Sequence, residues 1–184
     1  MPILRAEPNI YPENLLAEED ISGLNRSWKA VYTKSRQEKA LARHLHQTEV
    51  PFFLPLIPKD NLIRGKQVRS LLPLFTNYAF MFCTDIERVT AMKSNRIISI
   101  LDVEDEQQLV TDLNQINQLI VADVPLSIES QISTGQMVRI KSGAFEGFEG
   151  TVIDRTKKTR LLIAVNYLQQ GVSIEIEDYM LEVI

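Results

Sequence analysis

Cysteine is nearly absent from this sequence. The 184 residues include one, Cys83, so no disulfide can form within the chain, and a reducing compartment is the expected setting. Long apolar runs are also missing, since no stretch approaches the roughly 18 residues that a membrane-spanning helix needs. The first residues lack the basic segment and apolar core of a secretory signal. These absences predict a cytoplasmic protein without a membrane segment.

Groups that catalyse reactions are scarce as well. The chain has two histidines, His44 and His46, and their i, i+2 spacing places them on different helix faces, where they cannot share a metal ion. The glycines of residues 143–150 lack the lysine and the following helix of a phosphate-binding loop. No serine or cysteine has an evident base partner. The sequence therefore predicts a protein that is not an enzyme and that needs neither a metal nor a cofactor.

Basic residues are concentrated in one part of a chain whose net charge is −4. Residues 26–69 contain ten basic and three acidic residues, whereas residues 1–25 contain one basic and five acidic residues. Such an excess of one sign in one segment favours a polyanionic partner, and nucleic acid is the leading candidate. The alternative is a solvated face that balances the acidic segments elsewhere.

The N-terminal two thirds of the chain divide into a tail and a mixed region. Residues 1–25 contain three prolines and an acidic cluster with little periodicity, which predicts a flexible tail. Strand, helix, strands, helix, strand and helix then follow in order, with residues 78–83 as the clearest central strand. Ser35 and Glu38 have the spacing of a capping box at the first helix. The predicted fold of residues 26–121 is therefore α+β, with helices packed on a mainly antiparallel sheet.

Strand signals dominate the remainder of the chain. Residues 122–134, which contain proline, serine and threonine, predict a linker. Short and closely spaced strands over residues 135–184 then fit a small five-stranded barrel.

A glycine-rich loop lies near the start of this barrel. Gly143, Gly147 and Gly150 predict tight turns, because glycine reaches positive φ without steric cost. Phe145 and Phe148 are too apolar for a solvated loop, so at least one of them should plug the end of the barrel.

The chain contains Trp28, Glu38, Pro55, residues 74–78 and residues 135–152 in this order, and together they resemble the motifs of the NusG family of transcription elongation factors. The stretch from Gly135 to Val152 resembles a KOW motif. The other shared features are Trp28 opening the first strand, Glu38 early in the first helix, Pro55 after the second strand, and Leu74-Phe-Thr-Asn-Tyr78. The resemblance implies that the two predicted domains are a NusG-type N-terminal domain and an SH3-like KOW domain.

Within the family the chain resembles the specialised RfaH-type paralogues, which relieve pausing and termination at selected operons. The similarity lies in Tyr32, Lys34, residues 63–66 of the predicted hairpin, residues 77–78 and residues 143–148. It implies an operon-specific antiterminator. A general NusG that couples the polymerase to Rho or to the ribosome is one alternative, and a ribosomal RNA-binding KOW protein is an alternative from another class.

The resemblance also implies a polymerase-binding site on the N-terminal domain. Related proteins present an apolar hollow to the clamp helices of the polymerase's largest subunit, and aromatic side chains suit such a contact because they bury a large area. RfaH-type proteins touch the opposite jaw with a further motif, to which one threonine corresponds here. The implied polymerase-binding residues are Tyr32, Phe75, Tyr78, Phe80 and Thr90. Ordinary core packing is the alternative for the rings.

The basic segment would face the non-template DNA strand that the transcription bubble exposes. Lysine and arginine supply phosphate contacts, which position the protein without reading sequence. The candidate DNA-binding residues are Lys34, Arg36, Lys39, Arg43, His44, Arg64, Lys66 and Arg69. Lys34 is the best single candidate for a contact with a base.

The KOW domain of this family binds Rho or a small-subunit ribosomal protein through a loop with an apolar tip. The matching stretch, residues 166–171, lacks the family's usual Phe-Gly, which favours the ribosomal protein over Rho. The candidate partner-binding residues are Phe145, Phe148, Tyr167 and Leu168. The alternative is that these side chains only plug the barrel. The expected form of the protein is a monomer with no membrane partner.

Overall fold

The chain folds into two compact units, Met1–Glu106 and Gln107–Ile184. A computed structural model describes residues 7–17, 25–63, 65–129, 135–155, 158–165, 168, 170–176 and 180–184. Mixed α and β elements come first and an all-β region follows, which confirms the predicted fold class.

The described residues contain three helices, two of them in the first unit. They are α1 (Glu38–Gln47), α2 (Asp85–Met92) and α3 (Glu106–Val121). None of the helices in the described residues has both the length and the apolar character that crossing a bilayer requires.

The first unit is built on a five-stranded antiparallel sheet with the strand order β1-β3-β6-β2-β7. Its strands are β1 (Ile10–Tyr11), β2 (Ser27–Thr33), β3 (Phe52–Phe53), β6 (Tyr78–Cys83) and β7 (Ile97–Asp102). Two further strands, β4 (Leu56–Ile63) and β5 (Lys66–Pro73), form a separate antiparallel hairpin. Pro55 lies between β3 and β4, where a residue without an N–H interrupts the ladder at no cost.

Strand β6 is buried on both faces, which explains its almost unbroken apolar sequence. Ala79, Met81 and Cys83 belong to a core that includes the buried side of α1. Phe80 and Phe82, on the opposite face, are 0% and 7% exposed. Burial raises the pKa of the Cys83 thiol to about 11, so this side chain behaves as a small apolar core residue.

Residues 7–17 pack within the first unit, where the sequence predicts a flexible tail. Strand β1 pairs with β3 at the edge of the sheet. Leu15 and Leu16 are 2% and 6% exposed. A two-residue strand and two adjacent leucines are too short to show a period, so the pattern did not reveal this docking. The acidic cluster of residues 18–20 lies outside the described residues.

The predicted capping box at the first helix is wrong. Helix α1 begins at Glu38, after Gln37, and no side chain caps it. The Glu38 carboxylate is instead 4% exposed, and its Oε1 accepts a hydrogen bond from the Asn77 backbone N–H at 2.8 Å. The predicted capping box would pair the Glu38 carboxylate with Ser35. In the structure this carboxylate instead accepts from Asn77, which is distant in the sequence.

Helix α2 has a complete capping box, and its carboxylate also forms an ion pair. Thr84 Oγ1 accepts from the Glu87 N–H at 3.2 Å, and Glu87 Oε2 accepts from the Thr84 N–H at 2.9 Å. Arg26 Nε donates to Glu87 Oε2 at 3.0 Å, and Arg26 Nη2 donates to Oε1 at 2.5 Å. The Arg26 hydrogen bonds are the main cause that lowers the pKa of Glu87. The start of α2 is thereby tied to the residue that precedes β2.

We expect Glu87→Gln to destabilise the first unit at pH 7 by about 1–2 kcal/mol, with a smaller cost in acid. Because folding lowers the pKa of Glu87, its contribution is present above the unfolded pKa of about 4.3 and is lost as the pH falls through the folded value. Urea unfolding, followed by the fluorescence of Trp28, measures this at a series of pH values; Trp28 is the single tryptophan of the sequence and is buried in this unit. Glu104→Gln, at an exposed position, is the control. A cost that does not change with pH would contradict the charge-based explanation.

The second unit contains a six-stranded antiparallel sheet with the order β13-β9-β10-β11-β12-β8. Its strands are β8 (Ser127–Glu129), β9 (Met137–Ile140), β10 (Glu149–Arg155), β11 (Lys158–Val165), β12 (Gln170–Glu175) and β13 (Leu181–Val183). The last five strands confirm the predicted small all-β domain. Strand β8 lies within the predicted linker and pairs with β12, but three residues are too few to stand out as a strand in the sequence.

Helix α3 groups with the second unit, whereas the sequence predicts it as the last element of the N-terminal domain. Gln115 is 9% exposed, and its Oε1 accepts a hydrogen bond from the Glu149 N–H at 2.9 Å. The compact units divide after Glu106, and the domain boundary predicted at residue 121 stays a prediction. Helical periodicity identifies a buried face, but it does not say which domain covers that face.

The glycines of the loop before β10 have two different roles. Gly143 and Gly147 have φ angles of +100° and +89°, as the sequence predicts. Gly150 instead lies in β10, where a Cβ would come within 2.4 Å of the Leu162 carbonyl oxygen. Its role is to let two paired strands approach, and it makes no turn.

Candidate functional site

Several loops of the first unit are held together where β2 ends. The Thr33 N–H donates to the Asn77 carbonyl at 2.8 Å, and the Lys34 N–H donates to the Arg96 carbonyl at 2.8 Å. Glu38 adds the bond to the Asn77 N–H described above. The turns that precede β6 and β7 are therefore fixed to the segment that leads from β2 into α1.

Two partly exposed tyrosines lie side by side at this end of the sheet. Tyr32 and Tyr78 are direct cross-strand partners in β2 and β6, and their ring centroids are 5.2 Å apart. Because the Asn77 N–H donates to the Glu38 carboxylate and the Asn77 carbonyl accepts from the Thr33 N–H, the position of Tyr78 is well defined. Adjacent, half-exposed rings on a rigid backbone present contact area that needs little ordering on binding.

Phe75 and Phe80 do not line an accessible hollow, contrary to the sequence-based expectation. Both rings are 0% exposed, and they pack edge to face with centroids 6.2 Å apart. Phe80 lies two residues after Tyr78 on the same side of β6, so it continues the tyrosine face into the core. The two phenylalanines therefore support the surface and do not form part of it.

Thr90 and His44 join the first two helices to each other. Thr90 Oγ1 donates to the Ile86 carbonyl at 3.1 Å, and His44 Nε2 lies 3.3 Å from the Thr90 carbonyl oxygen. Both residues are half-buried. These contacts give each of them a structural role, and their contacts with polymerase or DNA stay predictions.

The basic residues just before α1 and along it make up a set of cationic side chains that are open to solvent. Its exposed or half-exposed members are Lys34, Arg36, Lys39 and Arg43. Lys34 Nζ donates to Asn95 Oδ1 at 3.0 Å. Arg43 forms an ion pair with Glu7, which belongs to the predicted flexible tail. The four residues Lys34, Arg36, Lys39 and Arg43 will be called the α1 basic face.

The hairpin candidates are only partly described. Arg69 is exposed on β5. Lys66 opens the same strand, and only its backbone is described; Arg64 lies outside the described residues.

The candidate partner-binding residues of the second unit differ in exposure. Phe148 is 6% exposed and Phe145 is half-buried, with their ring centroids 5.3 Å apart. The burial of Phe148 confirms that one of the two rings plugs the domain. Leu168 is half-buried, and Tyr167 lies outside the described residues.

The two units define a class of protein in which an α+β unit precedes a unit that contains a small antiparallel β-sheet. Residues 26–132 match the family model described as transcription termination factor nusG, and residues 134–165 match the KOW motif. Since the first match covers more than half of the chain, the chain belongs to the NusG family of transcription elongation factors. Members of this family are non-enzymatic and bind RNA polymerase.

Two solved structures are similar to this chain at low sequence identity. A NusG from Thermotoga maritima, determined in a study of its domain interaction, is 17% identical, with 86% of this chain and 97% of that chain covered and a TM-score of 0.46. A chain of the MjSpt4:Spt5 complex is 16% identical, with 85% and 96% covered and a TM-score of 0.28. Similarities this loose support no inference about residues or partners.

Proposed function

We propose that this NusG-family protein binds RNA polymerase through the Tyr32–Tyr78 pair and suppresses pausing as a factor restricted to selected operons. The observation that carries the proposal is the pair of half-exposed tyrosine rings on a sheet end that is held by hydrogen bonds. The clamp helices of the largest subunit, which the family resemblance implies, offer the apolar surface that such rings suit.

Suppression of pausing needs no chemistry from the protein. A factor that binds the elongating state of the polymerase more tightly than the paused state shifts the population toward elongation by the difference in affinity. The firm attachment of Tyr78 through Asn77 and Glu38 supports this role, because a rigid contact can discriminate between two shapes of its partner. In this proposal the protein is a cytoplasmic monomer and not an enzyme.

The α1 basic face supplies the second contact. Lys34 follows Tyr32 by two residues, so a polymerase-bound protein would hold cationic groups close to the tyrosine contact. The non-template strand of the bubble would bind there through its phosphates. Sequence preference would come from the few polar groups that reach bases, with Lys34 as the first candidate.

The second unit is proposed to recruit a further partner. Phe145 and Leu168 are its half-buried apolar candidates, and a small-subunit ribosomal protein is the proposed ligand. Because the units belong to one chain, tethering raises the effective concentration of this site near the polymerase and can replace tight binding.

Restriction to selected operons is tested by mapping where the protein sits on the chromosome. Chromatin immunoprecipitation should find it over a few long transcription units. Occupancy of all transcribed genes would contradict the specialist role and support a general elongation factor. The Lys34 position, residues 63–66 and residues 143–148, which resemble the RfaH-type branch, favour the first result.

A further inference from the structure

A carboxylate from residues 7–17 lies on the α1 basic face. Arg43 Nη1 is 2.7 Å from both Oε1 and Oε2 of Glu7. The side chains of Arg43 and Glu7 are 50% and 30% exposed, so the pair sits at the surface, in reach of a competing anion.

The segment that carries Glu7 is anchored at several points along its length. The Leu54 N–H donates to the Asn9 carbonyl at 2.6 Å, and β1 continues this pairing at the sheet edge. The ring of Tyr11 packs edge to face on His46 of α1, with centroids 5.3 Å apart. Leu15 and Leu16 are buried farther along the segment. The backbone at Glu7 is therefore held near α1 by packed structure, and the Arg43 ion pair needs no further ordering of the backbone.

A carboxylate and a phosphate offer a guanidinium group the same kind of acceptor oxygens. Glu7 thus makes the same kind of contact with the Arg43 guanidinium group that a nucleic-acid phosphate would make. Exposed ion pairs are weak, because water screens them and both side chains lose rotamer freedom. A polyanion that gains several contacts at once can therefore displace Glu7.

We infer that Glu7 competes with nucleic-acid phosphate for Arg43, so that residues 7–17 lower the affinity of the α1 basic face for single-stranded DNA. The inference rests on the proposed function, since it assumes that this face binds DNA. A phosphate contact adds affinity for every sequence alike. Blocking one such contact therefore gives the remaining base-reading groups a larger share of the binding energy, as an operon-restricted factor requires.

The test is the affinity of the full chain for a fluorescently labelled, mixed-sequence single-stranded oligonucleotide, measured by fluorescence anisotropy at several salt concentrations. Glu7→Gln should bind about two- to fivefold more tightly than the wild type at low salt. The slope of log affinity against log salt concentration should be steeper for Glu7→Gln by up to about 0.7. In the wild type, the Glu7 carboxylate that phosphate displaces takes up a cation, and the variant has no such carboxylate.

Further variants make the result specific. Glu13→Gln removes the same charge from an exposed position in the same segment, and it should change the affinity less than Glu7→Gln does. Arg43→Gln should weaken binding, and adding Glu7→Gln to it should have no further effect beyond that of Glu13→Gln.

Equal effects of Glu7→Gln and Glu13→Gln would overturn the inference, because net charge alone would then explain both. If Arg43→Gln and Lys34→Gln both left the affinity unchanged, the α1 basic face would not bind DNA. That result would overturn the DNA part of the proposed function and the inference with it. The two failures are distinguishable, because Arg43→Gln leaves the DNA affinity unchanged only if the α1 basic face does not bind DNA.

Discussion

Tyr78→Ala should weaken binding of the full chain to RNA polymerase by at least about 30-fold, equivalent to about 2 kcal/mol, while the first unit stays folded. The substitution removes one ring of the half-exposed pair and leaves the other without its cross-strand neighbour. Because Tyr78 is only partly buried and opens its strand, the loss of packing should be small. Equilibrium binding to purified core polymerase measures the first effect, and Trp28 fluorescence during urea unfolding measures the second.

Two variants accompany this measurement as controls. Tyr78→Phe keeps the ring and should retain most of the affinity. Phe145→Ala removes a half-buried ring from the second unit and should leave polymerase binding unchanged. Undiminished binding by Tyr78→Ala, or an equal loss in Phe145→Ala, would contradict the assignment of the contact to the tyrosine pair.

Phe80→Ala should lower the free energy of unfolding of the first unit by about 3–5 kcal/mol, because it leaves a cavity in a fully buried site. Phe80 packs on Phe75 and stands opposite Phe53 of β3 in the sheet. Partial relaxation of these neighbours cannot fill the space of a whole ring. Urea unfolding followed by Trp28 fluorescence measures the loss.

The variant Phe80→Leu separates packing from direct contact with the polymerase. It keeps most of the buried volume, so the loss of stability should be much smaller and polymerase binding should persist. A Phe80→Leu variant that is stable but no longer binds polymerase would show that the Phe80 ring contacts the polymerase directly.

Features with a regular pattern could be predicted from the sequence. Residues 78–83 are recognisable as a central strand because both faces of the strand are buried, which makes the apolar run continuous. The five strands from β9 to β13 alternate and are separated by turn residues, so the small all-β domain is visible as well. The order of motifs from Trp28 to Val152 then predicts the family, which the family models confirm.

Features that depend on tertiary contacts could not be predicted. Glu38 has the spacing of a helix-capping residue, but it accepts a hydrogen bond from Asn77, 39 residues away. Phe80 and Tyr78 cannot be told apart in the sequence. The alternation of side chains along a strand places both on one face, but it does not show which of them is exposed to solvent. Glu7 lies in a segment whose composition is typical of a tail, and its docking depends on a two-residue strand and two buried leucines. In each case the contact that decides the structure is made with a residue distant in the chain, and local sequence propensity does not depend on that residue.

Site-specific photocrosslinking tests the tyrosine contact most directly. A photoreactive phenylalanine analogue is placed at position 78 of the full chain, and in a second variant at Val121, which is 78% exposed. Illumination of assembled elongation complexes should crosslink position 78 to the largest subunit of the polymerase, in greater yield than position 121. A position 78 that stays uncrosslinked while the complex is fully bound would contradict the account.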